Sequence, residues 1–344
     1  MLDALRKELI LRKDYLQDET IGSIYFGGGT PSLLSTKEIN QIVDDIYNNF
    51  KVDSSIEITL EANPDDLTKE KTRELRASLI NRFSIGVQSF YEEDLRWMNR
   101  AHNAQEAQTA IKRVQDSGFE NITADLIYGF PLLTDIKWIN NIQQIIDLEI
   151  PHLSAYSMTI EPQTPLASFI RKGVQKPMND GQSADQFVML MNMITENGFE
   201  QYEISNFARN SLYSKHNTNY WKGVSYLGIG PSAHSFNGFG RQWNIANNSK
   251  YISAILKNEI PAENEVLSEA DRFNEYIMTS LRTKWGVDLN YLKQNFPIDF
   301  TEILNETMQK NIFDGKIKKE QSIYTLSTEG KLLADQIASD LFIT

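Results

Sequence analysis

Between residues 21 and 160 the chain alternates two hydrophobic periods, and that alternation narrows its possible folds more than any other feature. Short β-rich runs stand at IGSIYF (21–26), SIEITLEA (55–62), RFSIGVQSF (82–90), ITADLIYGF (122–130) and LSAYSMTI (153–160). Helical patterns fill the gaps: TKEINQIVDDIYNNF, TKEKTRELRASL, YEEDLRWMNRA with AQEAQTAIKRVQDSG, and DIKWINNIQQIIDLEI. Strand and helix in turn predict a parallel sheet of right-handed βαβ units. Nearly continuous apolar strands fit a sheet covered on both faces. The opening MLDALRKELILRKDYL is also helical, with Leu2, Leu5, Leu9 and Leu16 on one face. Ser35 with Glu38 three residues on predicts a capping box for the next helix. Five strands preceded by a helix point to an open or partial barrel whose first strand is absent.

After about residue 166 the pattern changes. Residues 166–262 are richer in Asn, Ser, Gly and aromatics, with weaker periodicity. From about 266 helices return in SEADRFNEYIMTSLRTKWG and FTEILNETMQKN, and GKIKKEQSIYTLSTEGKLLADQIASDLF reads as a hairpin followed by a helix. Helices followed by a hairpin resemble a small winged-helix unit. The expected divisions are 1–165, a partial barrel, 166–262, an irregular α+β segment, and 263–344, winged-helix-like.

Composition excludes several functions. With 34 basic against 46 acidic residues the formal charge is −12, so the chain would approach nucleic acid against its own field. A DNA-binding regulator built on the basic KIKKE hairpin is the weakest reading, and no nucleic-acid partner is expected. No apolar run reaches the ~18 residues of a spanning helix, so no transmembrane segment and a cytoplasmic location are expected. The chain has no cysteine, which rules out disulfides and thiolate-held metals within it.

Polar residues gather at the strand C-terminal ends, where parallel α/β folds bind ligands: Gly28, Glu61, Gln88, Asp125 and Thr159. The glycines of GGGTP let a backbone approach a ligand, or serve only a strand-to-helix turn. The lysine and Ser/Thr of a P-loop and the spaced glycines of a dinucleotide fold are missing, which leaves hydrogen bonding to a zwitterion such as an amino acid. Glu61 in EANP offers a carboxylate to an ammonium or ribose hydroxyl, and Gln88 both donates and accepts. Arg100 follows on a helix. Asp125 inside an apolar strand needs a partner.

YFGGGTPSLL, EANPDDLT, FSIGVQSF with LRWMNRAH, DLIYGFP and LSAYSMTIEPQTPL together resemble the radical SAM superfamily, in its oxygen-independent coproporphyrinogen III oxidase-like family. The resemblance covers nearly the whole chain. It implies a partial (β/α)6-type radical SAM barrel missing its first strand, with S-adenosylmethionine bound against a [4Fe–4S] cluster. Gly28, Gly29, Thr30, Glu61, Gln88, Arg100, Asp125 and Thr159 match its adenosylmethionine-contact positions. The family holds its cluster with a Cys-x3-Cys-x2-Cys loop ahead of the first helix, and this chain lacks those ligands. The expectation is a truncated reading frame, with Met1 an internal methionine or a misassigned start; the rival is a natural member that has lost its cluster.

KHNTNYWKG (215–223) places His216, Asn217, Tyr220 and Trp221 in the pattern His-Asn-x-x-Tyr-Trp. Imidazole can ligate haem iron and aromatics can cover a porphyrin face. The pattern resembles the haem-binding motif of the family's haem-chaperone branch. That resemblance implies haem or porphyrin as the cargo, held by His216, and an apo-haemoprotein as recipient. Cluster and adenosylmethionine would support homodimerisation and transfer, and contact with membrane haemoproteins would be peripheral. The enzyme alternative is oxidative decarboxylation of coproporphyrinogen III to protoporphyrinogen IX in porphyrin biosynthesis. It requires the missing cysteines, and Arg171, Lys172, Arg209, Lys215 and Lys222 are too scattered to form an evident propionate cluster. YLGIGPSAHSF (226–236) resembles a family segment beside the active site, and a tight turn explains its glycines equally well; His102 reads as structural and His152 as a turn residue.

Overall fold

The structure, a computed structural model, describes residues 1–343. The chain opens with α1 (Leu2–Leu11), β1 (Ile21–Phe26), α2 (Thr36–Asn49) and β2 (Val52–Ala62). It continues through α3 (Lys69–Arg76), β3 (Arg82–Gln88), α4 (Glu92–Trp97), α5 (Ala104–Asp116), β4 (Ile122–Tyr128), α6 (Asp135–Asp147) and β5 (His152–Ser157). Next come α7 (Pro165–Arg171), α8 (Asp180–Glu196), β6 (Phe199–Glu203), β7 (Asn206–Arg209) and α9 (Lys215–Trp221).

These strands form one seven-stranded sheet in the order β1-β2-β3-β4-β5-β7-β6. β2 through β5 pair parallel, as the alternation of periods predicts. β7 and β6 extend the sheet antiparallel beyond β5. No apolar run announces them, because FEQYEISNFAR carries six polar against five apolar positions. The parallel strands with helices between them form the open, partial α/β barrel that the alternation of periods predicts.

The chain divides into two compact units. One holds Tyr25–Leu34 and Ile58–Tyr213; the other holds Met1–Ile24, Ser35–Glu57 and the residues from Ser214 onward. In the first of these, Ile58, Leu60, Phe83, Ile85, Val87, Ala124, Leu126, Leu153 and Ala155 form the buried strand core. Helical Ile111, Val114, Trp138, Ile142 and Ile145 are buried as well. Side-chain caps set where its helices start: Thr68 accepts from Lys71 N, Thr134 from Lys137 N, and Asn103 closes a capping box with Glu106. His152 is no turn residue. It is the first residue of β5, buried, with Nε2 2.8 Å from Tyr202 Oη and Nδ1 3.0 Å from Thr123 Oγ1.

In the other unit, the foreseen Ser35–Glu38 capping box starts α2. α1 stops at Leu11, short of Leu16, and Gln17 and Asp18 then take positive φ as the chain turns toward β1. Glu8, on α1, is fully buried and accepts from Tyr251 Oη (2.5 Å), Asn244 Nδ2 (2.7 Å), Gly230 N (2.9 Å) and Arg12 Nη1 (3.3 Å). A buried carboxylate persists only when satisfied in this way. Within GIGPS the chain turns at Gly230 (φ +111) and Ser232 (φ +62), while Gly228 allows the close approach of the His234 carbonyl, with which a Cβ would collide.

Beyond α9 lie β8 (His234–Phe236), β9 (Gly240–Asn244), α10 (Asn248–Leu256) and β10 (Ala262–Val266), the strands forming an antiparallel sheet in the order β10-β9-β8. The C-terminal part is winged-helix-like. It comprises α11 (Glu269–Leu281), β11 (Val287–Asp288), α12 (Leu289–Asn295), α13 (Ile298–Phe313), β12 (Ile317–Glu320), β13 (Ile323–Leu326), α14 (Thr328–Lys331) and α15 (Ala334–Asp340). β12 and β13 form the foreseen hairpin, joined by β11. No helix among the described residues is long and apolar enough to cross a membrane.

Candidate functional site: a strand-end cradle and a histidine helix

The first cluster lies within Tyr25–Leu34 and Ile58–Tyr213. At the end of β2, Glu61 accepts from Tyr25 Oη (2.6 Å) through one carboxylate oxygen and from Gly28 N (3.0 Å) through the other. The glycine loop is therefore pinned to the strand end by its own backbone. Gly28 (φ +76) and Gly29 (φ +62) are left-handed, and the space a Cβ would enter at either is open. Burial, and then the Glu61 charge, hold the Tyr25 hydroxyl well above its ordinary pKa, so it remains a donor.

Gln88 ends β3 at a register shift against β4 and has φ +66, a strained conformation for a side-chain-bearing residue. Arg100 lies in the turn after α4, not on the helix its sequence context predicts, because α4 ends at Trp97. Its Nη2 donates to Asn63 Oδ1 (2.8 Å) and lies 3.4 Å from Gly86 O. A Cβ at Gly86 would stand 3.0 Å from Gln88 Nε2 and 3.3 Å from Arg100 Nη2, so this glycine lets the two side chains converge. Arg100 Nε is buried without a hydrogen-bond partner.

Asp125, on β4, is half-buried; Ser84 Oγ on β3 is 3.3 and 3.4 Å from its two oxygens. Burial first, and the Glu61 charge among lesser causes, push its carboxyl up to about 6. Thr30 precedes a 3-10 turn whose Ser32 donates to Asp66 (2.6 Å). Thr159 lies two residues past β5 and is exposed. The structure thus joins Gly28 with Glu61 directly, and Gln88 with Arg100 across Gly86.

An open backbone cradle, an orphaned guanidinium donor and the carboxyl groups of Glu61 and Asp125 fit a ligand with ammonium, carboxylate and hydroxyl groups. Adenosylmethionine has these. A [4Fe–4S] cluster does not fit this chain's residues: thiolates are absent, and the described residues contain no group of three or more His, Cys, Asp or Glu that could hold a metal.

The second cluster lies wholly in the other unit, on α9. Ser214 caps the helix, its Oγ accepting from Asn217 N. Glu57, buried on β2, accepts from Lys215 N (3.0 Å) and His216 N (3.0 Å) and lies 3.4 Å from Ser214 Oγ. Lys215 Nζ donates to Ser55 O (2.5 Å) on the same strand. The His216 imidazole is half-buried, with Nδ1 3.4 Å from Ser23 Oγ on β1.

Helical spacing puts His216 and Tyr220 on one face, with Asn217 and Trp221 on the neighbouring one. Tyr220 is exposed and edge-on to Trp221 (5.6 Å); Tyr226 follows at 5.6 Å and Phe236 at 6.2 Å from Tyr226. The Arg282 guanidinium covers Trp221 at 5.2 Å, and Lys222 lies 4.3 Å from the Trp285 ring centre. Asn217 Oδ1, Thr218 Oγ1 and Trp221 Nε1 are buried without partners. A partly open imidazole on the helix that begins this run of aromatic rings suits a planar metallated macrocycle. Glu57, Ser23, Asn63 and Ser84 escaped sequence reading. Glu57 alone left a signal, as a charge inside an apolar strand four residues before Glu61.

Residues 5–145 match the Radical SAM superfamily and residues 267–333 the HemN C-terminal domain. The fold is similar to that of the Escherichia coli coproporphyrinogen III oxidase HemN, with a TM-score of 0.82 and 22% identity over 99% of this chain and 82% of that one. Fold and matches together define a radical SAM-type protein with a HemN-like C-terminal domain.

The chain is 32% identical to the heme chaperone HemW of Bacillus subtilis over 98% of its length and 89% of the relative's. It is also 32% identical to the heme chaperone HemW of Haemophilus influenzae, over 100% and 88% of the two chains. The chain belongs to the heme chaperone HemW family.

Proposed function

We propose that this chain binds haem on α9 and delivers it to apo-haemoproteins. The observation that carries the reading is the arrangement of His216 and Tyr220: an imidazole presented on a half-exposed helical face, flanked by exposed tyrosine. His216 supplies the axial nitrogen, and the Tyr220–Tyr226–Phe236 run supplies an apolar face. A cargo held at a half-exposed site can exchange its ligand with a recipient. Family membership at 32% identity over nearly the full chain supports this reading over decarboxylation.

Within the same reading, Gly28, Gly29, Thr30, Glu61, Gln88, Arg100, Asp125 and Thr159 hold adenosylmethionine. Arg100 Nε meets an anionic or carbonyl oxygen, and the carboxylates accept from ammonium and ribose hydroxyls. This chain's residues bind and orient adenosylmethionine; having no thiolates, they do not hold the cluster that its radical chemistry would require. We place the protein in the cytoplasm, with homodimerisation as a route to transfer. The test is transfer itself: chain preloaded with hemin and mixed with excess apomyoglobin passes its haem on at a rate that saturates with acceptor. A rate independent of acceptor concentration, equal to simple dissociation, defeats the chaperone reading.

A further inference from the structure

We infer that Glu57 is a positioning residue for the haem-ligating histidine, fixing the first turn of α9 so that the His216 imidazole is held against β1 for iron. The inference rests on the haem reading of α9 and goes beyond it, because no resemblance gives Glu57 a role.

Glu57 is 5% exposed, which for a carboxylate demands a compensating set of donors. Those donors are the backbone N–H groups of Lys215 and His216, each at 3.0 Å. Both are among the N–H groups a helix start leaves without intrahelical partners. One carboxylate thus grips the two residues that begin α9, including the peptide N–H of the histidine itself. Ser214 Oγ, the helix cap, stands 3.4 Å from the same oxygen that accepts from His216. On β1, Ser23 Oγ lies 3.4 Å from His216 Nδ1, so the ring is approached from one strand and its backbone from the next. Groups that orient a ligating histidine in this way act on affinity through geometry, with no contact to the metal.

Glu57→Gln is isosteric, keeps one carbonyl acceptor and turns an N–H2 toward the second N–H; Glu57→Ala removes both acceptors. Each variant, with His216→Ala and the parent chain, is titrated with hemin by absorbance. Far-UV circular dichroism and thermal midpoints are recorded in parallel. Parent-like circular dichroism for Glu57→Gln is expected, with hemin binding on the order of 10–100-fold weaker and the Soret and charge-transfer bands moved toward those of His216→Ala. A merely structural residue would alter the midpoint and leave the spectrum of bound hemin unchanged. Should both Glu57 variants bind with parent affinity and spectrum while His216→Ala loses them, the inference is overturned and the haem reading stands. If His216→Ala itself binds like the parent, the haem reading fails, and this inference with it.

Discussion

Replacing Asp125 by asparagine should stabilise the protein at neutral pH while weakening the site it belongs to. The carboxyl is raised from its ordinary 3.8 to about 6, with burial the largest cause and the nearby Glu61 charge adding to it. A shift of that size corresponds to a penalty of about 3 kcal/mol for keeping the group ionised in the folded state. Because the folded pKa lies above the unfolded one, the wild type is not penalised below about pH 4. It loses stability as pH rises through about 6 and carries the full penalty above about 7. Asparagine does not titrate, so Asp125→Asn escapes this loss. It also gives up one acceptor for Ser84 or Ser154, a pH-independent cost of about 1 kcal/mol.

The stability difference, Asp125→Asn minus wild type, is therefore slightly negative at pH 4. It should rise across about pH 4–6 and level off near +2 kcal/mol by pH 7.5, in order of magnitude. Urea denaturation at five pH values measures it, with equal m-values confirming that the denatured states are comparable. A difference that stays flat across this range would refute the argument that burial and Glu61 hold the Asp125 proton.

Gly27→Ala places a Cβ 2.6 Å from Tyr25 Cε1 and 3.1 Å from Glu61 Oε1, so it should part the tyrosine–carboxylate pair. Adenosylmethionine binding by calorimetry should then weaken, and parent-like affinity would show that the pair is not needed. Arg100→Gln should lower adenosylmethionine affinity by about 10–100-fold, the worth of a charge-assisted hydrogen bond, with the thermal midpoint nearly unchanged. A large midpoint loss at parent affinity would make Arg100 structural. Glu8→Ala leaves Arg12, Tyr251 and Asn244 without their shared acceptor in a buried setting and should cost about 3–5 kcal/mol in denaturant unfolding. A cost under about 1 kcal/mol would mean the network relaxes around water.

The parallel strands were legible because each is an apolar run bounded by a helical period, and their C-terminal polar residues marked the cradle. β6 and β7 were not, since an antiparallel edge pair needs few apolar residues, and β5, which pairs with β7, lies more than 50 residues earlier in sequence. α8 hid for a related reason: DGQSADQFVMLMNMITE has a polar first half and an almost wholly apolar second half, so no single stripe stands out. LRWMNRA continues the helical composition through Arg100, yet Asn99 adopts φ +55 and keeps Arg100 off the helix. On α9 the residue types were legible and their support was not. Glu57 and Ser23 reach His216 from strands more than 150 residues earlier, and no local pattern encodes such a pairing.

The central claim is that His216 on α9 ligates haem iron. Hemin titrated into the parent chain and into His216→Ala, with the ligation state of the bound iron read by resonance Raman, tests it most directly. The account predicts saturable binding with a nitrogen-ligated signature in the parent, and loss of both the signature and most of the affinity in the variant. Equal affinity with an identical signature in the two proteins would contradict it.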